Sequence, residues 1–145
     1  MPGRNRRPSP AERRSCLHIK KINLAEAFAS FSECWSPRIA GRVNDTHLKL
    51  AKLDGEFIWH HHEREDEAFI VIRGSLLMNL RDELGERAVE LHEGEMIVMP
   101  RGVEHKPVAT GGGGECWVLL VEPATTLNTG NVENERTVKA LKSLG

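Results

Sequence analysis

The spacing of hydrophobic positions changes along the chain. Leu24, Ala27, Phe28 and Phe31 recur at helical intervals, and Asn23 with Glu26 three residues on makes a capping pair, so one short helix is predicted there. After Pro37 the period falls to two, with His47-Leu-Lys-Leu-Ala-Lys-Leu53 alternating ahead of the turn pair Asp54-Gly55. Short strand-like runs follow at 57–62, 67–73, 75–81, 87–91, 96–99, 103–108 and 116–122. Gly85, Gly94, Pro100-Arg101-Gly102 and the glycine run 111–114 break them. Such a series predicts an all-β sandwich or small barrel. The run 68–72 is apolar on both faces, so its outer face needs a cover, either the N-terminal helix or a partner subunit. Val138, Leu141 and Leu144 return to helical spacing, which predicts a short C-terminal helix over 133–144.

Composition narrows the choice of partner. Residues 1–15 hold five arginines, three prolines and no apolar pattern, and are read as a disordered basic tail. Residues 16–44 are then a helix and lead-in strand, 45–123 the barrel and 124–145 a C-terminal extension. With 20 basic against 21 acidic residues, no overall field draws the body to nucleic acid or a membrane surface. No apolar run approaches the roughly 20 residues needed to cross a bilayer, and the start lacks a secretory signal, so a cytoplasmic location is expected. Cys16, Cys34 and Cys116 are odd in number and scattered, which argues for reduced thiols rather than a disulfide framework or a thiolate zinc site.

The chemistry concentrates in the histidines. On an extended strand alternate side chains share a face, so His60 and His62 point one way and His61 the other. Glu67 opens the next strand after a polar turn, and the Pro100-Arg101-Gly102 turn can return a strand that carries His105 past the same place. Three imidazoles and a carboxylate suit a divalent transition metal, with Mn, Fe, Ni and Zn all compatible, and leave positions open on a six-coordinate ion. A purely structural zinc site would be closed and richer in thiolate. Trp59, Phe69, Met78 and Met99 are candidates for the pocket wall around the ion, beside their role in filling the core. Arg73 and Arg101 are candidates for an acidic substrate, with Arg101 read as solvated, and His18, His47 and His92 have no partner pattern. The glycine run lacks the Lys and Ser/Thr partners and the following helix of a phosphate cradle, so it reads as a hairpin tip.

Gly55, His60, His62, Glu67 and Gly74, then Gly94, Pro100, Gly102 and His105, stand in the order and close to the spacing of the two cupin motifs. The opening glycine is one residue nearer the first histidine, and Ala109 stands where the second motif ends in asparagine. The chain therefore resembles a single-domain cupin, with an ending similar to small bacterial cupins labelled mannose-6-phosphate-isomerase-like. The resemblance implies a jelly-roll β-barrel, a metal held by His60, His62, Glu67 and His105, and a homodimer. It also implies capture of a small oxygen-rich molecule, with dioxygenase or isomerase chemistry as one outcome and a non-catalytic binding module as the other.

Overall fold

A computed structural model describes residues 19–110 and 114–144; the basic tail, Cys16, His18 and glycines 111–113 lie outside the described residues. β1 (Arg38–Val43), β2 (Thr46–Leu53), β4 (Glu67–Arg73), β7 (Met96–Met99), β9 (Cys116–Pro123) and β10 (Lys142–Ser143) form a six-stranded sheet in the order β10-β1-β2-β9-β4-β7. β3 (Gly55–Glu56), β5 (Leu76–Asp82), β6 (Gly85–Leu91) and β8 (Glu104–Ala109) form a four-stranded sheet in the order β3-β8-β5-β6. Every strand pairing is antiparallel apart from β10 on β1. The two sheets face one another as an all-β jelly-roll barrel.

Alternation builds the interior. On β9, Cys116, Val118, Leu120 and Glu122 are buried while their neighbours are half-buried. Val71 of β4 and Leu76 and Met78 of β5 reach the same core without measurable exposure. β2 departs from this pattern, because five consecutive residues, Lys49 to Leu53, are buried. A six-residue helix, α1 (Leu24–Ala29), accounts for part of that. The Asn23 side chain accepts the Glu26 N–H at 3.0 Å, so the predicted cap forms. Phe28 is fully buried and stacks on Trp117 at 4.8 Å and 14°. The outer face farther along the sheet is open, because Ala68 and Ile70 pair with exposed Val98 and Met96.

Two predicted elements are absent. Residues 57–62 do not form a continuous strand; they follow β3 as an irregular run bonded to β8 at intervals. The Phe57 N–H donates to the Pro107 carbonyl at 3.0 Å, but proline has no N–H to return, so the ladder cannot close there. The predicted C-terminal helix is replaced by turns and by β10. Short polar side chains take the backbone donors a helix would use: Asn134 Oδ1 accepts the Arg136 N–H, Thr137 Oγ1 the Asn134 N–H and Asn128 Oδ1 the Val138 N–H.

Candidate metal centre

The irregular run carrying the three histidines is tied down at each residue. His60 and His105 exchange backbone hydrogen bonds of 3.1 and 2.8 Å, an isolated bridge between the run and β8. The His61 carbonyl accepts the Asn131 N–H at 3.0 Å, and the His61 N–H donates to Asn131 Oδ1 at 2.8 Å. The His62 carbonyl accepts the Gly102 N–H at 2.7 Å. Gly102 has φ +81, so the turn that delivers this N–H sits where side-chain-bearing residues are strained. Arg101 in the same turn is 61% exposed and pairs with Asp66 at the surface: its N–H donates to Asp66 Oδ1 at 2.9 Å and its guanidinium reaches both carboxylate oxygens at 3.3 Å. That guanidinium holds the Asp66 carboxyl below its usual range.

The outcome is a cluster of buried imidazoles. One ring nitrogen from each of His60, His62 and His105 lies within 4.8 Å of the others. His60 Nδ1 is 2.9 Å from the Ile58 carbonyl, and His105 Nδ1 is 2.9 Å from the Val103 carbonyl. A carbonyl only accepts, so each Nδ1 carries the proton and each Nε2 keeps its lone pair. Burial pushes the His60 imidazole down to about 3, with His105 beside it adding to the shift, and burial pushes His105 down to about 4. Both rings are therefore neutral, the form that ligates metal.

His62 Nε2 and His105 Nε2 are buried without a hydrogen-bond partner. His62 Nε2 lies 2.8 Å from Glu67 Oε2, a separation short enough for an ion pair. The approach lacks hydrogen-bond angles, however, so the nitrogen counts as orphaned and the short distance records convergence rather than bonding. Buried polar atoms rarely go unpaired, and two on one cluster point to a further partner, which at His105 Nε2 must accept a lone pair. A divalent metal ion fits that need.

Behind Glu67 lies a buried set of charges that sequence reading passed over. Lys49 Nζ is 2.7 Å from Glu122 Oε1, and their side chains are 1% and 3% exposed. The Glu122 carboxyl is hydrogen-bonded in turn to that of Glu67. Burial raises both carboxyls, and the nearby Glu67 charge raises Glu122 further. Lys49 and Glu122 sit at inward positions of paired strands β2 and β9, so the only signal was a polar residue inside each alternation.

A cavity opens beside the cluster, bounded by His60, Glu67, Phe69, Glu122 and residues of β2 and the N-terminal segment. Phe69 lines it. Met78 and Met99 lie in the hydrophobic core instead, and Trp59 sits beneath the Arg81 guanidinium at 3.8 Å. His61 turns from the cluster toward Glu63, at 3.4 Å. Arg73 stacks on Trp117 at 4.8 Å, and His92 hydrogen-bonds Ser75. Burial pushes the Cys116 thiol up to about 12, so it stays protonated and inert.

Two sheets, antiparallel apart from the β10–β1 edge, closed around a three-histidine cluster define a small β-barrel whose interior can hold a metal ion. Residues 47–122, more than half of the chain, match the cupin domain, and the chain belongs to the cupin family. A cupin-2 domain containing protein from Shewanella frigidimarina NCIMB 400 is 44% identical with a TM-score of 0.64, covering 70% of this chain and 93% of that one. The protein NMB1881 from Neisseria meningitidis is 30% identical with a TM-score of 0.62, covering 72% of this chain and 100% of the other. The uncharacterized protein YdbB of Bacillus subtilis (strain 168) is 42% identical over 64 residues, 44% of this chain and 54% of YdbB. The match thus spans about half the length of that curated relative. Among the described residues no helix is long and apolar enough to cross a membrane.

Proposed function

We propose that this protein is a metal-dependent cupin in which His60, His62 and His105, with Glu67 as a fourth ligand, hold a divalent transition ion and capture a small molecule at coordination positions left open. The observation that carries this reading is the pair of buried, unpartnered Nε2 atoms on His62 and His105, with His105 Nδ1 committed to the Val103 carbonyl. The donor set accommodates manganese, iron, nickel or zinc. When bound, such an ion polarises a carbonyl or enol oxygen or, as iron, activates dioxygen. The chain's own groups do the rest. The Ile58 and Val103 carbonyls fix two imidazole tautomers, Lys49 and Glu122 hold Glu67, and the barrel excludes water from the ligand atoms.

Elemental mass spectrometry on untagged, unchelated protein tests the centre. Near-stoichiometric metal in the wild type, lost in His105→Ala with the fold retained by circular dichroism, is expected. No metal in the wild type, even after reconstitution, overturns the reading. Iron or manganese directs screening to oxygenase or isomerase chemistry, whereas zinc makes redox turnover unnecessary to consider first.

A second reading is capture without turnover. It is favoured by the state of the two carboxyls in the cavity wall, since Glu67 is engaged by Glu122 and Glu122 by Lys49, leaving no idle acid or base there. Ligand-dependent oxygen uptake or product formation by the metal-loaded protein selects the enzyme; saturable binding with neither selects the module.

A further inference from the structure

Three charged side chains make a chain of contacts inside the barrel. Lys49 of β2, Glu122 of β9 and Glu67 of β4 come from neighbouring strands of the six-stranded sheet, and each is 5% exposed or less. Lys49 Nζ bonds Glu122 Oε1, and the Glu122 carboxyl is bonded to that of Glu67. Glu67 Oε2 in turn stands beside His62 Nε2. The contacts lead from a buried cation to the edge of the imidazole cluster.

Stability does not account for them. Burying charge is costly, and an ion pair in a low-dielectric interior does little more than offset that cost. Val118 and Leu120 share the inward face of β9 with Glu122, so apolar side chains already fill this interior. Lys49 has no place in the wall of the cavity, whereas Glu67 and Glu122 both line it. Its ammonium reaches Glu67 by bonding only through Glu122.

Glu67 is the group that needs this support. His60 and His105 are each fixed by a backbone carbonyl at 2.9 Å. Among the described residues Glu67 has one hydrogen-bond partner, the Glu122 carboxyl. A glutamate side chain turns about three bonds, so a carboxyl without that partner is free to leave the cluster. We infer that Glu122, with Lys49 behind it, is a positioning residue that fixes the Glu67 carboxyl at the His62 side, so that carboxylate and imidazoles meet an ion together. This inference rests on the metal reading above and assigns the buried pair a part in metal affinity apart from its part in folding.

Two variants separate those parts. Lys49→Met with Glu122→Leu replaces the pair as a unit, which a packed interior tolerates, yet leaves Glu67 unheld. Glu122→Gln keeps an oxygen to accept from Lys49 and an amide N–H to donate to Glu67. The probe is cobalt(II) added to full-length protein: competition with a chelator gives its affinity, and visible absorption per bound ion reports its ligand set. The double variant, folded by circular dichroism, is expected to bind cobalt about 10–100-fold more weakly than wild type, with an altered spectrum. Glu122→Gln is expected to keep the wild-type spectrum and an affinity nearer to wild type than to the double variant. Should the double variant not fold, Glu122→Asp, which draws the carboxyl back by one methylene, is expected to act in the same direction. Wild-type affinity in the double variant or its stand-in overturns the positioning role and leaves the metal centre standing. Weaker binding with an unchanged spectrum marks a general loosening of the fold and overturns it too, as does Glu122→Gln binding no better than the double variant. Failure of wild type to bind cobalt at all overturns the metal reading, and this inference with it.

Discussion

Lys49 occupies an inward position of β2, and Glu122 faces it from β9. A buried pair of this kind is strongly destabilising to break and mild to replace as a unit. Lys49→Met alone is expected to lower stability by about 3–5 kcal/mol, because it leaves two carboxyls in the barrel without their cation. The double change Lys49→Met with Glu122→Leu is expected to cost clearly less, a difference that urea denaturation of the metal-free proteins resolves as non-additivity. The histidines give a second prediction. Their unfolded value is near 6.5, while burial holds His60 at about 3 and His105 at about 4 in the fold. Between those limits the unfolded chain binds protons that the folded one refuses, so stability present above about pH 6.5 erodes as pH falls toward the folded values. Each of the two contributes about 1.4 kcal/mol per pH unit across that interval. The raised Glu67 and Glu122 carboxyls act in the opposite sense, with stability lost as pH rises through their folded values. Comparing the pH dependence of wild type with that of His105→Gln isolates the histidine part, and the variant's curve is expected to be flatter between about pH 4 and 6.5. The motif histidines were legible in the sequence from their spacing to the glycines and proline of the two motifs, even though the run that carries His60 and His62 is not the strand the alternation predicted. Lys49 was not, because Leu48 and Leu50 are also apolar and a helix covers part of their face, so a period of two cannot tell inside from outside.

At the scale of elements, the breaks between strands could be read from Gly and Pro, and Glu67–Arg73 and Met96–Met99 fall where the alternation put them. The ligand-bearing run 57–62 could not be read, because its irregularity is imposed by Pro107, fifty residues downstream in a different strand. Its other support was equally hidden. Gly130, with φ +56, passes so close to the run that a Cβ there would collide with the His61 carbonyl and come within 3.1 Å of His60 Cδ2. Gly130→Ala is therefore expected to displace His60 and weaken metal affinity by about 10–100-fold, as loss of an outer support does elsewhere. Competition against a chelator of known affinity measures this, and unchanged affinity would mean the contact is idle.

For the molecule as a whole, the motifs were sufficient to place the chain in its family, since nine spaced positions are hard to meet by chance and the match at 47–122 contains them. One apolar surface is where association between copies can be tested. Met96 and Val98 are 59% and 53% exposed on β7 and continue the apolar row of Ile70 and Ala68, an outer face that helix α1 leaves open. A second copy is the expected cover: light scattering on the eluting protein should give twice the 16.2 kDa chain mass, and Val98→Lys should return it to the monomer. The hydrogen bonds between His61 and Asn131 carry one more consequence, for a chain being made on the ribosome. Residues 46–123 contain every strand of the barrel apart from β1 and β10, together with all three clustered histidines, yet the brace on the histidine run comes from residue 131. At about 5–20 residues per second, Asn131 is added within roughly a second or two of the last residue of β9, so in order of synthesis the brace comes after every one of those strands. A chain cut shortly after residue 123 is expected to keep the strands from β2 to β9 and to leave the histidine run without its Asn131 brace.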